Sequence, residues 1–229
     1  MKLSSDTLAV LKNFASINSN IVFRGGSTVK TMSEAKNILA SATVAEDFPA
    51  EFGIYDLNEF LGVVSMFESP ELDFSNIEGG HVLIVEGGRS VKYFFSDPEI
   101  LTSPTKDIQM PSPEVTFTFS NNELNAIRRA ASTMSVSDVV IESDGSGELQ
   151  ATVTDTSDAT SNSFSIKLTA AQIPDDTPFR FVYNVANFKL MSGTDYNVEV
   201  SSKLISHLTS SSGNIDYWLA LEKSSTFGK

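Results

Sequence analysis

The sequence predicts an α+β fold made of two duplicated domains, each carrying two helices on antiparallel sheets. Three observations predict it. Tyr55-Asp56-Leu57-Asn58-Glu59-Phe60 recurs as Tyr183-Asn184-Val185-Ala186-Asn187-Phe188, each copy following a short apolar run, Phe52-Gly53-Ile54 or Phe179-Arg180-Phe181-Val182. Leu124, Ile127, Ala131 and Met134 match Thr7, Val10, Phe14 and Ile17 at a constant offset of 117 residues. A proline-bearing break falls near the middle of the 229 residues. Self-similarity of this kind marks a supersecondary unit used twice, and the length suits one large domain or two of about 110 residues. The expected division is a first domain over 1–96, a connector over 97–113 and a second domain over 114–229.

Residues 4–17 read as an amphipathic helix. Leu3, Thr7, Val10, Leu11, Phe14 and Ile17 share one face, and Ser5, Ala9, Lys12 and Ser16 the other. Strands are expected over Ile21–Arg24, Thr28–Met32, Asn37–Thr43 and Glu51–Tyr55, with Gly25-Gly26 as a hairpin signal. Asp56 then caps a helix over 56–67, because its side-chain oxygen can accept from the first free amides, with Glu59 at the capping-box position. Glu71–Ser75, His81–Val85 and Arg89–Phe95 read as strands separated by Gly79-Gly80 and Gly87-Gly88.

Pro98, Pro104, Pro111 and Pro113 make 96–113 neither helix nor strand. Its Ile100, Leu101, Ile108 and Met110 predict that it packs along a surface rather than running through solvent. The order then repeats. Glu114–Phe119 alternates as a strand, and Ser120 with Glu123 forms a capping box for a helix to about Met134. Strands follow near 136–142, 147–154, 162–168 and 178–183. Asn184 then caps the fourth helix. Strands near 194–200, 203–208 and 215–221 close the chain, leaving a tail from Glu222.

The residues of a reaction centre are hard to find. His81 and His207 stand alone, without metal-ligand spacing to a partner. No phosphate-binding glycine loop or Gly-x-Ser-x-Gly elbow occurs. Acidic pairs such as Glu46/Asp47 and Asp175/Asp176 read as solvated loop charges. Cysteine is absent, which removes disulfides and thiolate chemistry and fits a reducing cytoplasm. No run approaches a membrane span, and the first residues lack a signal-peptide core. The expectation is therefore a protein without catalytic, metal or cofactor sites.

The net charge is −13, which taken alone argues against a tight nucleic-acid binder, whose phosphate contacts need a basic surface. The position of the basic residues matters more than their number. Lys12, Arg128, Arg129 and Lys189 fall on or beside helices, and the 117-residue offset makes Lys12 and Arg129 equivalent. Two polar helix faces with equivalent cations suit contact with the phosphates of a polyanion, without base reading.

Several stretches resemble the sliding clamps, the DNA polymerase processivity factors of the proliferating cell nuclear antigen type, and those of T-even-like phages in particular. They are Met1-Lys2-Leu3-Ser4 with Asp6-Thr7, the run Leu11 to Ser19, Ile54 to Asn58, Asn184 to Lys189, and Ala220-Leu221-Glu222 with Ser225-Thr226-Phe227. The resemblance implies a head-to-tail homotrimeric ring around double-stranded DNA that performs no chemistry. An ATP-driven clamp loader would place it, and it would tether the DNA polymerase in the cytoplasm of an infected bacterium. Phage transcription factors are a further candidate partner. Carried over by position, Lys12 and Arg129 face the DNA, Arg128 and Lys189 flank them, and Lys2 is a further candidate. The partner pocket beside the connector and tail would use Ile100, Leu101, Ile108, Met110 and Phe227. The competing reading is a β-rich structural protein of a virion with an internal duplication. It shares the fold but gives no reason for cations to gather on helices.

Overall fold

Ser4 stops the incoming strand-like backbone and starts α1 (Ser5–Ile17), its hydroxyl accepting from the Thr7 amide at 3.2 Å. The helix buries Thr7, Val10, Leu11, Phe14, Ala15 and Ile17, the stripe that its periodicity predicts. These positions come from a computed structural model that describes residues 1–228. The described chain divides into two compact units, Met1–Asp107 and Ile108 onward.

In the first unit, α1 is followed by β1 (Ile21–Phe23), β2 (Gly26–Met32), β3 (Ile38–Phe48), β4 (Phe52–Ile54), α2 (Leu57–Val64), β5 (Glu71–Asp73), β6 (His81–Glu86) and β7 (Arg89–Phe94). β1 pairs with β4, β2 with β3, and β5-β6-β7 form a meander, all antiparallel. Asp56 caps α2 as expected, accepting from the Asn58 amide at 2.9 Å and the Glu59 amide at 3.0 Å. A phenylalanine cluster fills the space beside β1 and β4: Phe23 lies 4.5 Å from Phe48 and 4.8 Å from Phe52, and Phe52 lies 4.6 Å from Phe95. Each such ring, fully buried, stabilises the fold by about 1.5–3 kcal/mol.

The first part of the connector packs along this unit, but of its four apolar residues only Leu101 is buried, Ile100 and Ile108 standing open. Ser96 donates to the Gly53 carbonyl at 2.9 Å, and Leu101 is buried. A Cβ on Gly53 would stand 2.6 Å from the Ser96 oxygen and 2.7 Å from Leu101 Cδ1, so glycine is what lets the chain cross here. The connector departs from the sequence expectation in a second respect. Pro98–Ile100 forms a 3-10 turn, capped by Asp97 accepting from the Glu99 amide at 2.9 Å. Proline's fixed φ suits the first position of such a turn.

The second unit contains β8 (Val115–Phe119), α3 (Asn121–Met134), β9 (Asp138–Ser143), β10 (Leu149–Thr154), β11 (Phe164–Gln172), β12 (Phe179–Asn184), β13 (Tyr196–Ser201), β14 (Ile205–Ser210), β15 (Ile215–Ala220) and β16 (Thr226–Phe227). Among the described residues these strands run in the order β16-β12-β9-β10-β11-β8-β13-β14-β15. The capping box at Ser120 is present in both directions: Ser120 Oγ accepts from the Glu123 amide at 3.2 Å, and Glu123 Oε2 accepts from the Ser120 amide at 2.7 Å. α3 buries Leu124, Ile127 and Ala131.

The expected fourth helix is absent. Asn184 does cap, accepting from the Ala186 amide at 2.9 Å, but only a 3-10 turn over Val185–Asn187 follows. The reason is visible against α2, whose buried stripe is Leu57, Phe60, Leu61 and Val64. At the 128-residue offset the corresponding residues are Val185, Phe188, Lys189 and Ser192, so the stripe fails after one turn. The repeated tyrosines also differ, Tyr55 being exposed and Tyr183 buried. The tail is not loose: Phe179 pairs with Phe227 and Arg180 with Thr226.

Two carboxylates tie distant segments, Glu114 half-buried and Glu46 buried on β3 rather than in a solvated loop. Glu46 on β3 accepts from the Ser4 amide and the Thr7 hydroxyl, binding the start of α1 to the sheet. Glu114 accepts from the Ser202 amide at 2.8 Å and its hydroxyl at 2.7 Å. Burial pushes both carboxyls up, but their hydrogen bonds together outweigh it and hold both below the ordinary value of 4.5. Groups depressed in the folded state stabilise it above their unfolded value, and that stability is lost as pH falls through the folded value. Thermal unfolding followed by circular dichroism should therefore show the midpoint falling as pH drops below about 4.5. Glu46→Gln should lower stability at neutral pH by about 1.5–3 kcal/mol and flatten that acid dependence.

Candidate nucleic-acid interface

Each long helix buries one stripe and leaves the opposite face wet. On α1 the exposed positions include Ser5, Lys12 and Ser16; on α3 they include Asn122, Arg129 and Thr133. The two sets correspond residue for residue at the 117-residue offset. Among the described residues, neither Lys12 nor Arg129 has an ion-pair or hydrogen-bond partner, so both present a free charge flanked by small polar side chains. Such a face can approach a phosphate backbone closely and reads no base.

Arg128 is placed differently. Its guanidinium donates to the Phe188 carbonyl at 3.1 Å, the Leu190 carbonyl at 2.7 Å and Ser192 Oγ at 3.2 Å. Burial lowers its pKa from the ordinary arginine value. These donors are committed within the second unit, where they satisfy carbonyls that a longer helix at 185–192 would have bonded itself. The sequence did carry a signal: Arg128 lies four residues after Leu124, and the 117-residue offset sets it on Leu11, which is fully buried.

Lys189 is half-buried between buried Phe188 and Leu190. Lys2 is exposed and donates to Ser69 Oγ at 3.1 Å, in a hollow also lined by Glu71, Glu86 and Arg89. It stands before α1 rather than on its exposed face. α2 contributes no cation to its own wet face, which shows Asn58, Glu59, Gly62 and Ser65.

The apolar residues expected at a partner pocket are in unlike settings. Ile100 is 72% exposed and Ile108 is also open, Met110 is half-buried, and Leu101 is buried against Gly53. Phe227 is half-buried, its ring stacked 6.2 Å from Phe181 and 6.5 Å from Phe179. Sequence reasoning missed Arg24 and Lys30. Arg24 donates to the Pro104 carbonyl at 3.3 Å and Ser103 Oγ at 3.0 Å, and Lys30 pairs with Asp107, so both hold the connector. Among the described residues no group of three metal-ligating side chains occurs, and no helix is long and apolar enough to cross a membrane.

Residues 4–92 match the DNA polymerase processivity factor family. The chain is 29% identical to the sliding clamp of Vibrio phage KVP40, over 97% of this chain and 99% of that one. It is 27% identical to the sliding clamp of Enterobacteria phage T4 and 29% identical to that of Escherichia phage RB69, each over 99% of both chains. Among solved structures, the proliferating cellular nuclear antigen of Entamoeba histolytica matches with a TM-score of 0.69 over 94% of each chain, at 14% identity. The A. fulgidus PCNA bound to the C-terminal region of FEN-1 matches with a TM-score of 0.69 over 96% of each chain, at 15% identity. At such identities the solved structures speak for the fold, which is that of the PCNA-like DNA clamps. Over residues 4–92 the chain is thus similar to the DNA polymerase processivity factors, and along its whole length to sliding clamps of phages. DNA and a DNA polymerase are the partners that such a factor serves, and the virion-subunit reading is set aside.

Arg128→Ala should leave the Phe188 and Leu190 carbonyls unpaired, at a cost of about 1–3 kcal/mol. Hydrogen exchange should rise at 185–192 first. Arg129→Ala, one residue on, should change stability by no more than about 0.5 kcal/mol.

Proposed function

We propose that the chain closes head to tail into a homotrimeric ring around duplex DNA, with the exposed faces of α1 and α3 turned to the phosphates. The observation that carries this reading is the equivalence of Lys12 and Arg129. In a chain of net charge −13, the duplication sets one free cation at the same place on each long helix. Six such contacts per ring, two from each copy, make a weak and salt-sensitive attraction. Retention is then topological, and tethering raises the effective concentration of polymerase at the primer end. The ring performs no chemistry itself. An ATP-driven loader opens and places it in the cytoplasm of the infected bacterium, where phage transcription factors are further candidates for the same tether.

Arg128 serves this surface by fixing the 188–192 segment beside α3, and Lys189 and Lys2 contribute less than Lys12 and Arg129. The domain division into 1–96, the 97–113 connector and 114–229 belongs to the same reading. β7 supports ring closure: among the described residues it pairs with β6 on one side only, and four of its six residues are exposed. An open edge of this kind is a template for a strand from another copy, and a heterologous contact that closes gives a cyclic ring. Ile100, Ile108 and Met110 remain the candidates for an apolar contact with partner segments; the A. fulgidus clamp was solved with one such segment, the FEN-1 C-terminal region, bound.

Light scattering across a concentration series should give a species of about 74 kDa, three copies of the 24.8 kDa chain. Persistent monomer at high concentration would remove the ring. On primed circular DNA with loader and polymerase, the double variant Lys12→Glu, Arg129→Glu should shorten processive products at least about tenfold while keeping the trimeric mass. Products of unchanged length would show that α1 and α3 do not face the DNA.

A further inference from the structure

In the second unit, β8, β13, β14 and β15 contain no lysine or arginine, yet they carry two carboxylates on the face turned away from the core, Glu199 on β13 and Asp216 on β15. Strand alternation sets them there, because Tyr196, Val198 and Val200 of β13 and Ile215, Tyr217 and Leu219 of β15 are buried on the other face. His207, on β14 between them, meets both. Its Nδ1 lies 3.3 Å from Glu199 Oε2 and its Nε2 lies 2.9 Å from Asp216 Oδ1. Thr209 Oγ1 donates to the same Asp216 oxygen at 2.7 Å and stands 3.3 Å from His207 Nε2. The imidazole also stacks on Trp218, with ring centroids 4.7 Å apart and planes 11° from parallel. The other ionisable side chains of these strands are Tyr196 and Tyr217, which point into the core. Among the described residues Lys203, in the turn between β13 and β14, pairs with neither carboxylate.

The two protonation states of the ring fit this setting unequally. A doubly protonated imidazole offers one N–H to each carboxylate and a cation to the indole face. A neutral one has a single N–H, so one nitrogen lone pair must face a carboxylate oxygen. Thr209 can turn its hydroxyl to Nε2, but it then abandons Asp216. Glu199 is the freer of the two acids, its side chain 45% exposed against 31% for Asp216. We propose that His207 is a proton-operated clasp on this outer sheet face: charged, it holds Glu199 and Asp216 across three strands, and neutral, it keeps Asp216 and lets Glu199 go to solvent. The trio then passes from one cation against two anions to two anions alone, on strands that have no other cation to offset them. Histidine is the side chain that changes charge between about pH 5 and 8, so the face is remodelled by protons without any change in the core beneath it. All the members lie in the second unit, so the clasp works whether or not the chain assembles into a ring.

The chain has one tryptophan, so its emission reports on this stack alone. A stacked imidazolium quenches indole emission more than the neutral ring does. Emission of the full chain should therefore rise in one step as pH is raised from about 5 to 8, with the circular dichroism unchanged. His207→Gln keeps a donor and an acceptor but cannot take the proton, and it should lose the step. Glu199→Gln and Asp216→Asn should each move the step to lower pH, because a facing carboxylate favours the charged ring. The chain has two histidines, so nitrogen-15 spectra of the imidazoles on the wild-type protein read the His207 proton directly, and they carry the test should the glutamine variant fail to fold. Emission and the second ring proton of His207 should follow one curve. A flat emission profile in the wild type would overturn the proposal. So would a step that survives in a folded His207→Gln chain, a step that stays in place in both carboxylate variants, or ring protonation that runs apart from the emission.

Discussion

Each long helix has one stripe that must leave water and one face that cannot. The first half of that constraint sets α1 and α3 on their sheets through Val10, Leu11 and Phe14 in one unit and Leu124, Ile127 and Ala131 in the other. The second half determines what the surface shows. Once the stripes are fixed at a 117-residue offset, Lys12 and Arg129 have nowhere to go but outward, and the cationic faces follow without any further interaction. The caps serve the same end. Ser4 with Glu46, and Ser120 with Glu123, fix where each helix begins and hence the rotation of its faces.

Where the constraint lapses, the fold improvises. The 185–192 segment inherits a cap but not a stripe, because Lys189 and Ser192 stand where α2 has Leu61 and Val64. One turn forms and stops, leaving carbonyls that need donors. Arg128 supplies them from α3. In the first unit the equivalent position is Leu11, and the equivalent helix is complete. A buried leucine beside a full helix and a half-buried arginine beside a single turn are alternative solutions to the same packing problem.

Much of this was legible in the sequence, and the misses have physical causes. The starts of α2 and α3 were readable because Asp56 and Ser120 each offer a side-chain oxygen where an amide needs one, whereas the cap at Ser4 emerged only in the structure. The faces of α1 and α3 were readable because periodicity is a local property. The fourth helix was over-read because capping and propagation are separate requirements, and Asn184 meets only the first. Arg128 was over-read because a guanidinium looks like a surface charge until something buries it, although its alignment with Leu11 already pointed inward. Arg24 and Lys30 were invisible because their partners, Pro104 and Asp107, lie about 80 residues away in sequence. Phe227 was named, but its strand pairing with Phe179 was hidden by a similar long-range separation.

The wet face of α2 carries Glu59 and no cation. If these faces line the proposed ring, this thinness is an advantage in friction along DNA. A dense lining of lysines would give each phosphate a well to climb out of at every step. One cation per long helix, spaced by a face that is neutral or mildly repulsive, leaves a nearly level path. In the ring proposed above, grip and mobility would be set by separate parts of the molecule, the first by closure of the chain around its track and the second by how little the track is touched.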